Sequence, residues 1–497
     1  MISLDALTIG NAELIRNLRI NLRTKRMGIA VIIIAIICVV ILPSISTMYG
    51  SSATLGIGPY YCNIVLVIQS LVMYFGGGIA CLQAIGREKE LNTFDYQRVT
   101  RMTPLELAVG KLLGAPSMAY FIVLCFVPAA LMGLPSSKMD FGDLFESYIL
   151  LLLGSLAFYA FSLMISMLLA KSLSTISVLG FLFFGGLAVI PWFTLIFYYK
   201  GTQLGGAAAR NFAFYGVRVS FTRFIAFVYA SLLAWFLLAL VRNIKRDPSS
   251  YELYTPVQAL VFAVYLNFLM LGFIPGTGIS PEVTQFGSIW VNRSIFFALG
   301  LTLLRNRNRS RRRLRELGEQ GLSWIEAFWP TPILLLGVFV TGFLPLMTVT
   351  NRFGSQGAGI DFSLFFFHLA FLGFWLSRDM VFLQWMDVRP GRRPVLKGFL
   401  YLTVYYISMW VLFIRGPMMP RGGELAFQAI FSPNRVLLMT SANWEQASGS
   451  WIIALLCQAA ITFVFAFLHR QELQSLATRP RYLSPAVPPA SAPTPAA

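Results

Sequence analysis

About twelve apolar runs, separated by short charged loops, constrain this chain more than any other feature. They fall near 27–49, 60–86, 112–134, 147–170, 174–199, 219–241, 256–275, 286–304, 330–350, 362–377, 398–415 and 450–468. Runs of about 20 apolar residues are the length that crosses a hydrocarbon core as a helix. The tenth is short as drawn and extends through Met380–Met386 if its charges are tolerated. A composition of 57% hydrophobic and 12% charged residues excludes an ordinary soluble domain, in which roughly a quarter of residues are charged. The expected fold is all-α and polytopic, about twelve transmembrane helices arranged six plus six. The six-plus-six division falls at 247–255, giving a first half over 27–246 and a second over 247–479. The tail 480–497 is rich in Pro and Ala and is expected to be disordered.

The net charge of +18 does not point to nucleic acid, because the basic residues gather at the ends of apolar runs. That is the positive-inside pattern, with contact to anionic lipid headgroups. Alternate loops are basic, so both termini are expected on the cytoplasmic side. The weak point is 200–218, placed outside despite Lys200, Arg210 and Arg218, and apolar enough to be re-entrant or an interfacial helix. Ahead of the first run, 11–26 reads as a basic amphipathic helix with Leu14, Leu18 and Leu22 on one face. Such a helix lies in the headgroup plane, or serves as a basic flank that fixes orientation. The first 26 residues are too polar for a cleavable signal.

The stretch 87–114, REKELNTFDYQRVTRMTPLELAVGKLLG, is the densest mixture of charge in the first half. Arg87, Glu88, Lys89 and Glu90 alternate in sign, as at a solvated helix end. Thr103-Pro104-Leu105-Glu106 spells a helix start, with Thr103 and Glu106 as a capping box and Pro104 at the first helical position. That helix is expected to run through Lys111 into the span at 112–134. Phe94, Val99 and Met102 give the piece between the turns an apolar side.

The order R-E-x-E, T-F-D and T-P-L-E-L-x-x-G-K resembles the loop between the second and third spans of type-2 ABC transporter permeases. Glu90, Thr93, Asp95, Thr103, Pro104, Leu105, Glu106, Gly110 and Lys111 match, and Asn92 stands where that family usually has Gly. The resemblance implies a coupling helix that receives force from a separate ATPase dimer. It implies a permease subunit of an ATP-driven exporter in a bacterial inner membrane, and six spans per half, so that one chain holds both halves or pairs as a homodimer. The coupling residues it implies are Arg87, Glu88, Glu90, Thr93, Asp95, Arg98, Thr103, Pro104, Glu106 and Lys111, with the ATPase beneath Thr93–Met102. No second copy of T-F-D or T-P-L-E is visible in the second half.

Catalytic chemistry is absent from the pattern. No G-x-x-x-x-G-K-[ST] loop occurs, so ATP hydrolysis is expected on another polypeptide. Cys38, Cys62, Cys81, Cys125 and Cys457 lie in or beside apolar runs and read as small core hydrophobes. His368 and His469 cannot form a metal cluster, and no cofactor is implied. None of the twelve runs as drawn contains Asp or Glu, which argues against an ion-coupled carrier. A twelve-span secondary transporter nonetheless stays the competing expectation. Arg223 and Arg293 are the ionisable exceptions near the runs. Arginines so placed commonly snorkel or pack; the functional alternative is an anionic substrate headgroup.

Overall fold

A computed structural model describes residues 10–41, 61–136, 140–168, 211–215, 217–246, 251, 253–276, 281–305, 307–317, 323–341, 362–390, 394–414 and 441–478. The expected span at 174–199 and the tail lie outside them, as do residues 342–350 of the expected span at 330–350 and the side chain of His368. The chain divides into two compact units, Met1–Leu253 and Tyr254–Ala497.

The first unit runs α1 (Ala12–Asn21), α2 (Thr24–Ile36, carried on by a π-helical turn at Ile37–Ile41), α3 (Tyr61–Glu90), α4 (Thr93–Val99), α5 (Pro104–Gly114), α6 (Ser117–Gly133), α7 (Phe141–Leu168), a hairpin of β1 (Asn211–Phe214) and β2 (Val217–Ser220), and α8 (Phe221–Ile244). The second runs α9 (Pro256–Gly276), α10 (Pro281–Leu303), α11 (Arg307–Leu317), α12 (Trp324–Ala327), α13 (Thr331–Thr341), α14 (Phe362–Val388), α15 (Pro394–Ile414) and α16 (Ser441–Thr478). Among the described residues the structure is helical apart from the one hairpin.

Among the described residues, four helices are long and apolar enough to cross a membrane: Tyr61–Glu90, Phe141–Met167, Thr222–Ile244 and Gly449–Leu476. A fifth is added if α5 and α6 count as one bent span. The surface is what a lipid solvent selects. Leu396, Leu400, Val404 and Ile407 recur at helical spacing on α15, each more than half exposed. Such stripes are costly in water and ordinary in lipid. Inside, polar side chains bond to backbone: the Gln69 amide donates to Val123 O at 3.1 Å, and the Tyr159 hydroxyl donates to Met73 O at 2.7 Å. The chain is thus an all-α protein with the character of a multi-pass membrane protein.

Three local expectations change. The helix begun at Pro104 does not run on through 112–134, because α5 and α6 meet at a 46° bend. Pro116 lies at that break; a proline has no N–H to continue the helical ladder. The segment at 211–220 is an antiparallel hairpin, with Asn211 opposite Ser220, and not a helix. Its alternating NFAF and VRVS suit paired strands. The tenth run, short as drawn, takes the longer of its expected extents, since α14 continues to Val388 and carries Arg378, Asp379 and Asp387 inside the helix. Asp379 is 3% exposed, so a carboxylate sits within the packing after all.

Candidate functional site

The loop at 87–111 is built from the ends of three helices. α3 ends at Glu90, and Asn92 then takes a left-handed conformation, φ 56°. Glycine enters that region freely and asparagine is the next best tolerated. Asparagine at 92, where the resembled pattern has glycine, therefore takes a conformation that glycine adopts freely. Asn92→Gly is expected to leave stability within about 0.5 kcal/mol, and Asn92→Val to cost about 1–2 kcal/mol. Unfolding midpoints of the two variants in detergent check this.

α5 opens as the sequence indicates. Thr103 Oγ accepts from the Glu106 N–H at 3.2 Å, Glu106 Oε2 accepts from the Thr103 N–H at 2.8 Å, and Pro104 occupies the first turn. The same device opens α9: Thr255 and Gln258 cap each other at 3.1 and 3.2 Å, with Pro256 between them. T-P-V-Q is a helix start that a search for T-P-L-E passes over.

Lys111 is the centre of the loop. It is 1% exposed and donates to Glu13 at 2.9 Å and to Glu88 at 2.5 Å. Arg16 donates to Glu13 at 2.7 Å and also to Glu88. Gln97 of α4 donates to Glu88 at 3.0 Å. One cluster of two cations and two carboxylates, buried at Lys111 and Glu13 and open to solvent at Arg16, thus joins α1, α3 and α5, with α4 bonded to it. α1 lies against α5 through polar atoms. The Asn11 side chain caps α1 by accepting from the N–H groups of Glu13 and Leu14, and donates to Glu106 O at 2.6 Å. Asn21 donates to Gly114 O and Ala115 O, each at 3.2 Å. Close approach needs Gly110 and Gly114. A Cβ on Gly110 would come within 2.6 Å of Asn11 Oδ1, and one on Gly114 within 2.7 Å of Asn17 Cβ. Small residues four apart permit this contact.

The alternating charges at 87–90 are therefore not a uniformly solvated end. Arg87 and Glu90 are exposed, whereas Glu88 is bound into the cluster. Lys89 donates to Met167 O and stands over the rings of Phe94 and Tyr251, 5.9 and 5.4 Å from their centroids. α4 has two sides. Phe94 is 2% exposed and packs into the core with Leu107 and Ile244. Leu91, Tyr96 and Val99 stand out at 73%, 75% and 81%. Val99, grouped with Phe94 on one apolar side by the sequence, is on the outer side; Met102 is partly buried. Asp95 is exposed and accepts from Arg98 at 2.7 Å. Thr93 is exposed, its hydroxyl donating to Glu88 O at 3.3 Å.

Of the two arginines singled out as path residues, Arg223 is exposed on the first turn of α8. Arg293 of α10 is half-buried, its guanidinium 3.3 Å from the ring centroid of Trp375. Next to that contact lies a cluster the sequence reading missed. The Arg378 guanidinium donates to Asp379 Oδ1 from Nε at 3.0 Å and from Nη2 at 2.8 Å, to the Tyr406 hydroxyl at 2.6 Å and to Gln458 at 3.1 Å. Tyr406 donates in turn to Asp379 Oδ2 at 2.5 Å, and Trp375 Nε1 donates to Tyr406 at 2.5 Å. α16 also runs past its expected end at 468. His469 is 2% exposed, with Nδ1 donating to Ala327 O at 2.8 Å; a carbonyl only accepts, so this nitrogen carries the proton.

Comparison with known protein families, with curated proteins and with solved structures finds no match to this chain.

Proposed function

We propose that the chain is the membrane-spanning permease subunit of an ATP-driven exporter of the type-2 ABC class, resident in a bacterial inner membrane with both termini cytoplasmic. A separate ATPase dimer docks on α4 through Leu91, Tyr96 and Val99, with the charges of Arg87, Glu90 and Asp95 at the rim. The observation that carries the reading is the two-sided build of the loop. One side of α4 offers large apolar groups to a partner, while on the other Phe94 packs into the core and Gln97 bonds to Glu88 of the cluster at Lys111. A push on α4 would therefore move α1, α3 and α5 together instead of deforming a loose loop. Glu106 is spent on the α5 cap and Glu88 on Lys111, so the contact itself falls to the outward residues. Among homodimer and single-chain arrangements, the proposal takes the single chain with two six-span halves.

Tyr96→Glu with Val99→Glu is expected to leave the unfolding midpoint within about 1–2 °C of wild type, since both sites are exposed and surface changes cost within about 0.5 kcal/mol. The same variant should lose a Walker-motif ATPase that copurifies with the wild-type chain in stoichiometric amount. A wild-type chain that purifies without any such ATPase would sink the reading. The second reading, a secondary transporter, gains one specific observation, the buried carboxylate of Asp379. It requires transport driven by an ion gradient and lost in Asp379→Asn.

A further inference from the structure

In the second unit, α11 and α12 are tied together by one carboxylate. Glu326 of α12 accepts from Arg313 of α11 at 3.3 Å and from Arg305, just ahead of α11, at 2.5 Å. α11 reads RNRSRRRLREL, six arginines against one glutamate, and it has two sides. On one, Ser310 is buried and Leu314 packs on Val388, Leu473 and Leu476. On the other, Asn308, Arg312 and Arg315 recur at helical spacing and are exposed. Glu316, also exposed, pairs with Arg313.

α16 shows at what depth this piece lies. Its exposed residues are apolar at Phe463, Val464 and Phe467 and polar at Gln471 and Gln474. The edge of the hydrocarbon therefore falls between Phe467 and Gln471. Trp324 of α12 stacks on Phe463, with ring centroids 5.3 Å apart, and the Arg470 guanidinium stands 4.3 Å from the same ring. Ile325 beside it is 65% exposed. α12 thus sits on the apolar side of the boundary, where interfacial tryptophans gather. Leu314 meets α16 at Leu473 and Leu476, and the nearer of these lies about 9 Å along the helix axis beyond Phe467. That is the level of the lipid phosphates and the water just outside them, within reach of a long basic side chain.

We infer that α11 and α12 form a docking surface for anionic lipids. Trp324 and Ile325 rest at the acyl boundary, and Arg312 and Arg315 meet the phosphates of lipids with a net negative charge. Exposed arginines alone would serve any acidic partner. A water-soluble one would have to meet Trp324 and Ile325 at the level of Phe463, on the hydrocarbon side, whereas a lipid meets both groups where they stand. The surface goes beyond orientation, for which basic loops of either build would suffice, because it gathers lipids of one charge at one place. It does not depend on an ATPase partner.

The full chain is reconstituted in nanodiscs of phosphatidylcholine with a minority of phosphatidylglycerol, with bromine on the acyl chains of one lipid or of the other. Trp324→Phe, measured beside wild type, isolates the emission of Trp324 from that of the other tryptophans. Bromine on phosphatidylglycerol should quench Trp324 more, lipid for lipid, than bromine on phosphatidylcholine, and high salt should reduce the excess. Equal quenching by the two lipids overturns the inference. Quenching by neither would mean that protein covers Trp324, from a second copy or a soluble partner, and overturns it as well. In Arg312→Gln with Arg315→Gln the preference for phosphatidylglycerol should fall by up to about fivefold for each arginine. Both sites are exposed, so the unfolding midpoint should stay within about 1–2 °C of wild type. A folded double variant that keeps the full preference overturns the assignment of the two arginines. Lysine at both positions should retain most of the preference, and its loss there would assign the effect to packing and not to charge, which also overturns the surface.

Discussion

Lys111→Met is expected to lower stability by about 3–5 kcal/mol, the range for removing one partner of a buried ion pair. Methionine matches the length of the lysine stem, so the loss is one of charge more than of volume. What remains is Glu13, 4% exposed, and Glu88, with a side chain 12% exposed. Both lose the ammonium between them and keep Arg16, whose side chain is 41% exposed and pairs more weakly with them through solvent. The contact of α1 with α5 should fail first. Trypsin should then cut at Arg16, Arg19 and Arg23 several-fold faster than in wild type, at temperatures where the long helices are still folded. Adding Glu13→Gln to Lys111→Met removes one stranded charge and should restore part of the midpoint. Unchanged midpoint and unchanged protection in the single variant would mean that the cluster does not hold α1. The outcome also bears on the proposed transmission, because a free α1 would leave α4 tied to fewer helices.

The parts of this site legible in the sequence were those closed over a few residues. Thr103 and Glu106 meet across one turn, so their spacing suffices to name the cap. The packing of α1 was not legible in this way. Leu14, Leu18 and Leu22 recur every four residues, and so do Glu13, Asn17 and Asn21. Periodicity alone favours the apolar row as the packed one. The structure half-buries the leucine row and packs the polar row against α5, with Ile15 and Ile20 at 37% and 49% exposure, because the partners of the polar row are the carbonyls and small residues of α5, 93 to 95 positions away. The available signal was Gly110-x-x-x-Gly114, which licenses close approach by a helix but does not name it. In the second unit the missed feature had a different cause. An extension of the tenth run past residue 377 was readable, but how Arg378 and Asp379 are accommodated inside the packing was not. As neighbours in sequence they neutralise each other, and Tyr406 and Gln458, 28 and 80 positions on, complete the set. Nothing local in the sequence announces partners at that distance.

Arg378→Met should therefore be as damaging to the second unit as Lys111→Met is to the first, again about 3–5 kcal/mol. Arg378 and Asp379 are 4% and 3% exposed. Without the guanidinium, Asp379 keeps the Tyr406 hydroxyl as its donor from the cluster, and a single neutral hydrogen bond offsets little of the cost of a buried carboxylate. Gln458 on α16 and Tyr406 on α15 each lose a bond to α14, so the damage spreads over three helices. The double variant Arg378→Met with Asp379→Leu replaces the pair by apolar groups of similar size. It is expected to recover most of the loss and to come within about 1–2 kcal/mol of wild type, as buried pairs often do when both charges go. The remainder reflects Tyr406, which keeps the Trp375 N–H as a donor but loses the carboxylate as an acceptor. Unfolding midpoints of the two single variants and the double close the cycle. A double variant as unstable as the sum of the singles would show that the pair acts through packing and not through charge.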